Sequence, residues 1–283
     1  MNGLTGKILM LKLYVESTDF IYNYTGKLSK AIVLSEAPSL EYAFKPVKGF
    51  YKPLRISPPI KDGKALTPTY GVQKVSGKTT YVLKPVKLSD ECIVEVGATE
   101  DIVDKLYKVF KQSVGLKTRL KFENALVNYL VKEVLVIEPD IVLGSSFTVS
   151  TSSPVLLPNP FTPSQHIRRF TVNPSIFFWV PYMIAGGNLS HSRQEAYKAL
   201  IELESCLTEH YSTKYRVIFI NYDNNREPAL EVVRAKYLLT FRDRKCEETV
   251  KKVLYAARVY GVGASRASGF GSIKLSHTKQ NTS

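Results

Sequence analysis

The chain has 283 residues, enough for one large domain or two small ones, and its 44% hydrophobic and 23% charged content fits a packed globule rather than disorder. A formal net charge of +14 points to a polyanionic partner. No uncharged apolar run approaches the length needed to cross a bilayer, so no membrane partner is expected.

The N-terminal stretch Met1 to Glu16 alternates apolar and polar residues and carries Lys7 and Lys12, unlike a signal peptide; a cytoplasmic protein is the default expectation. Basic residues are spread along the chain and accompany 17 Tyr and 13 Phe, a combination suited to a nucleic-acid groove, with a merely solubilising surface as the plainer reading. Cys92, Cys206 and Cys246 lack the close spacing of a metal or redox pair and read as reduced, buried small hydrophobes. His166, His191, His210 and His277 are scattered, so neither a metal site nor a cofactor is expected.

In chain order, Lys7 to Val15 reads as a half-buried strand. Thr25 to Glu36 has helical spacing through Leu28, Ile32 and either Val33 or Ser35. Phe50 to Ser57 is a second strand, stopped by Pro58-Pro59. Thr79 to Val86 and Cys92 to Gly97 read as a hairpin or neighbouring strands. Glu100 to Gln112 shows one apolar face through Ile102, Val103, Leu106, Val109 and Phe110, and Lys117 to Phe122 is a strand. This order is that of a split βαβ unit.

A second pass of similar order follows: β-rich runs at Val131 to Pro139 and Ser145 to Val155, a long helix within Ser192 to Tyr211, strands at Tyr215 to Asn221 and Leu230 to Phe241 around Asp223 to Arg226, a helix over Cys246 to Tyr260, and a last strand from Ser272 to Leu275. The expected fold is α+β, with two tandem ferredoxin-like domains over 1–122 and 123–283. The Pro-rich stretch Pro154 to Pro174, holding His166, Arg168 and Arg169, is expected to run over the surface, and the residues after Leu275 to fray.

Before the last strand stands Gly261-Val-Gly263-Ala-Ser-Arg266-Ala-Ser-Gly269-Phe-Gly271. Glycines there would let main chain approach a ligand, successive N–H groups would favour an anion, and Arg266 would add a planar fork for phosphate. The same glycines also suit a tightly packed helix-to-strand turn. A nucleotide-phosphate loop is disfavoured because such motifs run from strand to helix.

This loop, with Arg266 inside it and a helix before it, resembles the C-terminal glycine-rich signature of the CRISPR repeat-RNA processing endoribonucleases of the repeat-associated (RAMP) superfamily. Lys52-Pro-Leu-Arg-Ile-Ser57-Pro58 is similar to a strand of their first domain, and the helix with Lys27 and Lys30 sits where their first helix sits. The resemblance implies metal-independent cleavage of precursor CRISPR RNA within its repeats by 2′-hydroxyl attack, leaving 2′,3′-cyclic phosphate and 5′-hydroxyl ends. Because the superfamily includes non-cleaving members, an RNA-binding subunit of a CRISPR effector complex is the alternative. The implied partners are CRISPR repeat RNA, effector subunits and a second copy in a homodimer.

Many relatives carry a catalytic histidine after the first helix, whereas Leu34 to Val47 has none here, as in some crenarchaeal relatives that use lysines and arginines. The catalytic candidates are Lys27, Lys30, Lys52, Arg234, Arg266 and Ser268, with Lys52 foremost as a proton-transfer group and Arg266 as a stabiliser of charge. Gly261, Gly263, Gly269, Gly271, Arg55, Arg168 and Arg169 are the candidates for holding RNA. Tyr24 and Tyr51 are secondary candidates whose plainer role is packing, and His166 is a rival group in its loop. Each lysine alone also reads as a solvated surface charge, and Arg234 as a guard against edge pairing.

Overall fold

A computed structural model describes residues 5–45, 51–75, 77–161, 168–190, 192–240 and 244–277. The first half runs β1 (Gly6–Ser17), α1 (Gly26–Glu36), α2 (Glu41–Phe44), β2 (Leu54–Ile56), β3 (Ile60–Lys61), β4 (Lys64–Ala65), β5 (Thr69–Val75), β6 (Lys78–Lys84), β7 (Ser89–Thr99), α3 (Glu100–Gln112), β8 (Lys117–Phe122) and β9 (Ala125–Ile137). Its sheet has the order β4-β3-β7-β1-β9-β8, with β2 also paired to β7. The central arrangement β9-β1-β7-β2 is that of a ferredoxin-like unit. Buried Leu28, Ile32 and Val33 of α1 and Val103, Leu106 and Phe110 of α3 seal one face of it. Val33, not Ser35, completes the inward stripe of α1.

The second half runs β10 (Ser146–Thr151), β11 (Leu157–Pro158), β12 (Arg168–Arg169), α4 (Pro174–Phe177), α5 (Trp179–Ala185), α6 (Arg193–Cys206), β13 (Leu207–Glu209), β14 (Lys214–Tyr222), β15 (Asn225–Leu239), α7 (Arg244–Tyr260) and β16 (Ile273–His277). Its sheet order, β16-β10-β15-β14-β5-β6, repeats the same ferredoxin-like core and adds two strands from the first half. Trp179, Phe177, Phe178, Leu203 and Leu254 pack against this sheet in the larger core. The fold is therefore α+β with tandem ferredoxin-like units, as the element order suggests.

Five expectations are corrected. The Pro-rich stretch that opens at Pro154 does not run over the surface there: Val155, Leu156 and Leu157 are buried in the core. Val131 to Pro139 does not open the second half: β9 pairs with β1 and β8, so the first sheet extends past residue 122 to Ile137. The strand within Thr79 to Val86 does not pair with that of Cys92 to Gly97. Instead β5 and β6 form a hairpin that leaves the first half and joins β14 at Ile220↔Thr69, while β7 pairs with β1. The strand expected from Phe50 shrinks to Leu54–Ile56. Finally, Cys206 and Cys246 form a disulfide with a Cα–Cα distance of 5.3 Å. The end of α6 and the start of α7 meet there, although 40 residues separate the two thiols in sequence. Cys92 alone is free and buried, as expected.

A small third cluster, Tyr24, Leu156, Ile220, Ala229 and Phe270, lies where the halves meet. Tyr24 stacks on Phe270 with 4.3 Å between ring centroids and donates its hydroxyl hydrogen to the Gly269 carbonyl at 2.7 Å. The start of α1 is thereby fixed against the glycine loop.

Candidate active site

Three lysines gather at the junction. Lys27 and Lys30 lie one turn apart on α1, half-buried. Lys27 pairs with Asp223 in the β14–β15 turn and lies 4.5 Å above the Tyr222 ring centroid. Lys30 lies 5.8 Å from the Phe44 ring centroid. Lys52 donates to the carbonyls of Tyr42 at 3.1 Å and Ala43 at 3.2 Å, at the end of α2.

The charges are close enough to affect one another. Burial, and then the neighbouring Lys30 charge, lower the pKa of Lys52 below the ordinary lysine value. Burial also lowers that of Lys30, where Lys27 adds to the effect and Glu41 opposes it. A lysine in such company gives up a proton more readily than one in open solvent.

Arg266 reaches the same place from beneath. It begins a short 3-10 turn, Arg266–Ser268, and is 5% exposed. Its Nη2 donates to the Lys52 carbonyl at 2.6 Å, while Nη1 is buried without a hydrogen-bond partner. With no carboxylate near, burial pushes its pKa down to about 10. Arg266 thus supports the main chain of Lys52 from inside the protein, a different geometry from the surface fork expected to face a phosphate. Tyr51, beside it, accepts a hydrogen bond from Trp179 Nε1 at 2.9 Å. Ser268 is half-buried, and its carbonyl packs against Gly26, where a β-carbon would lie 2.3 Å away.

The glycines expected to hold RNA are buried and face protein. A β-carbon on Gly269 would lie 2.4 Å from Gly26 Cα, and one on Gly263 would lie 2.5 Å from the Leu156 carbonyl. Gly261 packs on Arg55 Cδ and Gly271 on the Val262 carbonyl. Their lack of a side chain lets the loop pack closely on helix and strand.

Arg55 is likewise placed inside rather than on an RNA-facing surface. It is 0% exposed and donates to the Val259 carbonyl (3.0 Å), Ser272 Oγ (2.8 Å) and the Arg258 carbonyl (3.3 Å), while pairing with Glu95 (3.0 Å). Arg258 grips the two Glu95 oxygens at 2.8 Å each. Burial opposes ionisation of Glu95, but Arg55 and Arg258 prevail and hold its carboxyl at about 2. This clasp ties β2 and β7 to α7 and the segment before β16.

Arg168 and Arg169 lie in a ribbon beside the glycine loop, since β12 pairs with β11 and the Ala264 N–H donates to the Leu156 carbonyl at 2.8 Å. Arg169 is exposed and Arg168 half-buried. Arg234 is not brought to the lysines. It is exposed on β15 opposite Lys214, roughly 30 Å along the strand from the turn that holds Asp223. His166 lies outside the described residues. Asp223 and Tyr222, which hold Lys27, were not legible as site residues, because only the meeting of the β14–β15 turn with α1 brings them to that lysine.

Among the described residues, no three His, Cys, Asp or Glu side chains converge as a metal-ligand set, and no helix is long and apolar enough to cross a membrane.

No family model matches the sequence, and no curated protein matches it. Solved structures do. A Cas6 product complex aligns with a TM-score of 0.63 at 12% identity, covering 96% of this chain and 100% of that one. A Cas6-related protein from Pyrococcus furiosus aligns at 0.56 and 11% identity, covering 96% and 99%. A RAMP protein described as binding different RNA substrates aligns at 0.53 and 15% identity, covering 95% and 99%. Across nearly its whole length, the chain has the two-unit fold shared by these Cas6 and RAMP proteins.

Proposed function

We propose that the protein is an endoribonuclease that cleaves CRISPR repeat RNA without a metal. The observation that carries this reading is the cluster of Lys27, Lys30 and Lys52 at the junction of the two units, with two of the three lysines depressed in pKa. The whole-length likeness to Cas6 structures and the net charge of +14 support it.

In this reading Lys52, in its neutral form, takes the proton of the ribose 2′-hydroxyl. The 2′-oxygen attacks the adjacent phosphorus, the bond from phosphorus to the 5′-oxygen breaks, and a protonated lysine delivers a proton to that oxygen. The products are a 2′,3′-cyclic phosphate and a 5′-hydroxyl. Lys27 and Lys30 meet the charge that builds on the phosphorus oxygens. Arg266 acts as a positioning residue through the main chain of Lys52, and Arg168 and Arg169 hold the strand as it leaves the cleft. The histidine-free stretch from Leu34 to Val47 agrees with a lysine-based mechanism of the kind found in some crenarchaeal relatives.

The test is single-turnover cleavage of repeat RNA with EDTA present, beside a substrate carrying 2′-deoxyribose at the scissile position. Cleavage of the first and not the second is expected, with Lys52→Ala slowed about 100-fold or more. Binding without scission by the parental protein would instead identify a non-catalytic RNA-binding subunit. That alternative is favoured by the existing engagements of Lys27 with Asp223 and of Lys52 with two carbonyls.

A further inference from the structure

The outer face of α6 is apolar and exposed at its centre. Its inner face, with Ala196, Ala199, Leu203 and Cys206, is buried in the core of the second unit. On the opposite side Tyr197 and Ile201 lie one turn apart and are 59% and 67% exposed. Two large apolar side chains on adjacent turns leave area in water that a partner would cover. The helix is firmly held for such a role. Ser192 Oγ accepts from the Glu195 N–H at 3.1 Å and caps the first turn. At the other end Cys206 is bonded to Cys246 of α7. The Phe161 ring lies 5.3 Å from that of Tyr197, centroid to centroid, and supports it from the side.

The charges around this apolar pair are ordered. At 3.6 residues per turn, Arg193 and Glu204 fall on one flank of Tyr197 and Ile201, and Lys198 and Glu202 fall on the other. Each flank therefore has its base toward the N-terminal end and its acid toward the C-terminal end. No ion pair among the described residues engages Arg193 or Lys198. The acids are fixed in place: Glu202 Oε2 accepts from the Tyr182 hydroxyl at 2.7 Å, and Glu204 Oε1 accepts from the Ser175 N–H at 3.0 Å. This order selects the occupant. When two such helices pack antiparallel, like flanks meet in reversed direction, so Arg193 faces Glu204 of the second copy and Lys198 faces Glu202 of the second copy. Two-fold symmetry makes each of these pairs occur twice. In a parallel packing unlike flanks would meet and bring Arg193 beside Lys198 of the second copy. A polyanion would meet both acids along with the bases, so RNA does not fit this face.

We infer that two copies of this chain associate through α6, packed antiparallel about a two-fold axis, with Tyr197 and Ile201 of each copy seated on Ile201 and Tyr197 of the other. Apolar contact at the centre supplies attraction, and the flanking ion pairs fix the direction. Exposed ion pairs each contribute little, and one helix-on-helix contact is smaller than a standard interface. The dimer is therefore reversible, with a dissociation constant of roughly 10–100 μM. It needs no RNA and does not depend on the chemistry of the lysine cluster.

The experiment is sedimentation velocity on the full, oxidised chain freed of RNA, at about 1 to 200 μM. A monomer–dimer equilibrium is expected for the parental protein. Ile201→Ser, a change at an exposed position, is expected to weaken it about tenfold, because the apolar group is lost from both copies. Lys198→Glu and Glu202→Lys each place like charges at both crossings and are expected to weaken it about tenfold or more. Mixing these two charge variants tests the direction of packing. In the mixed dimer each crossing again sets an acid against a base, and dimers return at about the parental affinity. Recovery on mixing also shows that both variants fold. A parental protein that stays monomeric throughout overturns the inference. So does a dimer that all three variants leave unchanged, since it lies on another face, and so does a mixture of folded charge variants that fails to recover.

Discussion

Arg266 Nη2 donates to the main-chain oxygen of Lys52 at 2.6 Å, a bond between residues 214 apart in sequence. It ties the glycine loop to the strand segment bearing the proposed proton-transfer group. Arg266→Met keeps most of the bulk and removes the donor. The expected result is a single-turnover rate lowered about tenfold, the effect of one charge-assisted hydrogen bond. The pH profile should change with it, because Lys52 moves, while affinity for repeat RNA stays near the parental value. A change in affinity alone would assign Arg266 to RNA binding.

The pH dependence of cleavage should report the lysine cluster. A base works in its neutral form, so a lowered pKa increases the working fraction at a given pH. Lys30 is one cause of the depression at Lys52, after burial. In Lys30→Gln that charge is gone, the Lys52 pKa rises, and the ascending limb of the rate profile moves to higher pH. An unmoved limb in a folded, active variant would exclude Lys52 as the group that titrates.

Glu95 should make the fold acid-sensitive. Its carboxyl falls from an ordinary 4.5 to about 2 in the folded protein. A depressed acid contributes stability above its unfolded pKa and loses it as pH falls through the folded one. The contribution is therefore full above about pH 5 and fades toward pH 2, and the shift corresponds to roughly 3 kcal/mol. Thermal melts between those limits should show a steeper loss of stability in the parental protein than in Glu95→Gln. The variant should also be less stable at neutral pH by about 3–5 kcal/mol, since Arg55 stays buried without its partner.

Reduction should weaken the second unit. The Cys206–Cys246 bond closes a loop of 40 residues in sequence, for which a stabilisation of about 2–5 kcal/mol is typical. Denaturant melts with and without reductant measure it, and Cys206→Ser with Cys246→Ser should match the reduced form. Alkylation of the folded, oxidised protein should be slow, because burial pushes the free Cys92 thiol up to about 12.

Local pattern carried much of this fold. The apolar face read between Glu100 and Gln112 became α3 with the same bounds, and Lys117 to Phe122 became β8. Both depend on side chains a few residues apart. What escaped depends on partners far away in sequence. The hairpin Thr69 to Lys84 looks like any exposed ribbon, and nothing within it names β14 as its neighbour. Arg55 sits among Leu54 and Ile56, and all three are buried, so the strand carries no alternation that would mark the arginine as internal. Its partners Glu95, Arg258 and Ser272 lie on elements formed 40 to 217 positions later. For the site, Lys27, Lys30 and Lys52 could be singled out from the sequence, but their nearness to one another and to Asp223 depends on α1 meeting the β14–β15 turn. The glycine spacing was visible too, yet only the packed backbone distinguishes a loop that touches ligand from one that touches Gly26.

The crossing hairpin makes the two units inseparable by simple truncation. A fragment starting after β9 would lack β5 and β6, baring the flank of β14 to water and to other chains; a fragment ending there would carry that ribbon with nothing to dock on. The symmetry between the units is thus one of topology and not of independence, and fragments intended to isolate either would need the hairpin transplanted to the later half.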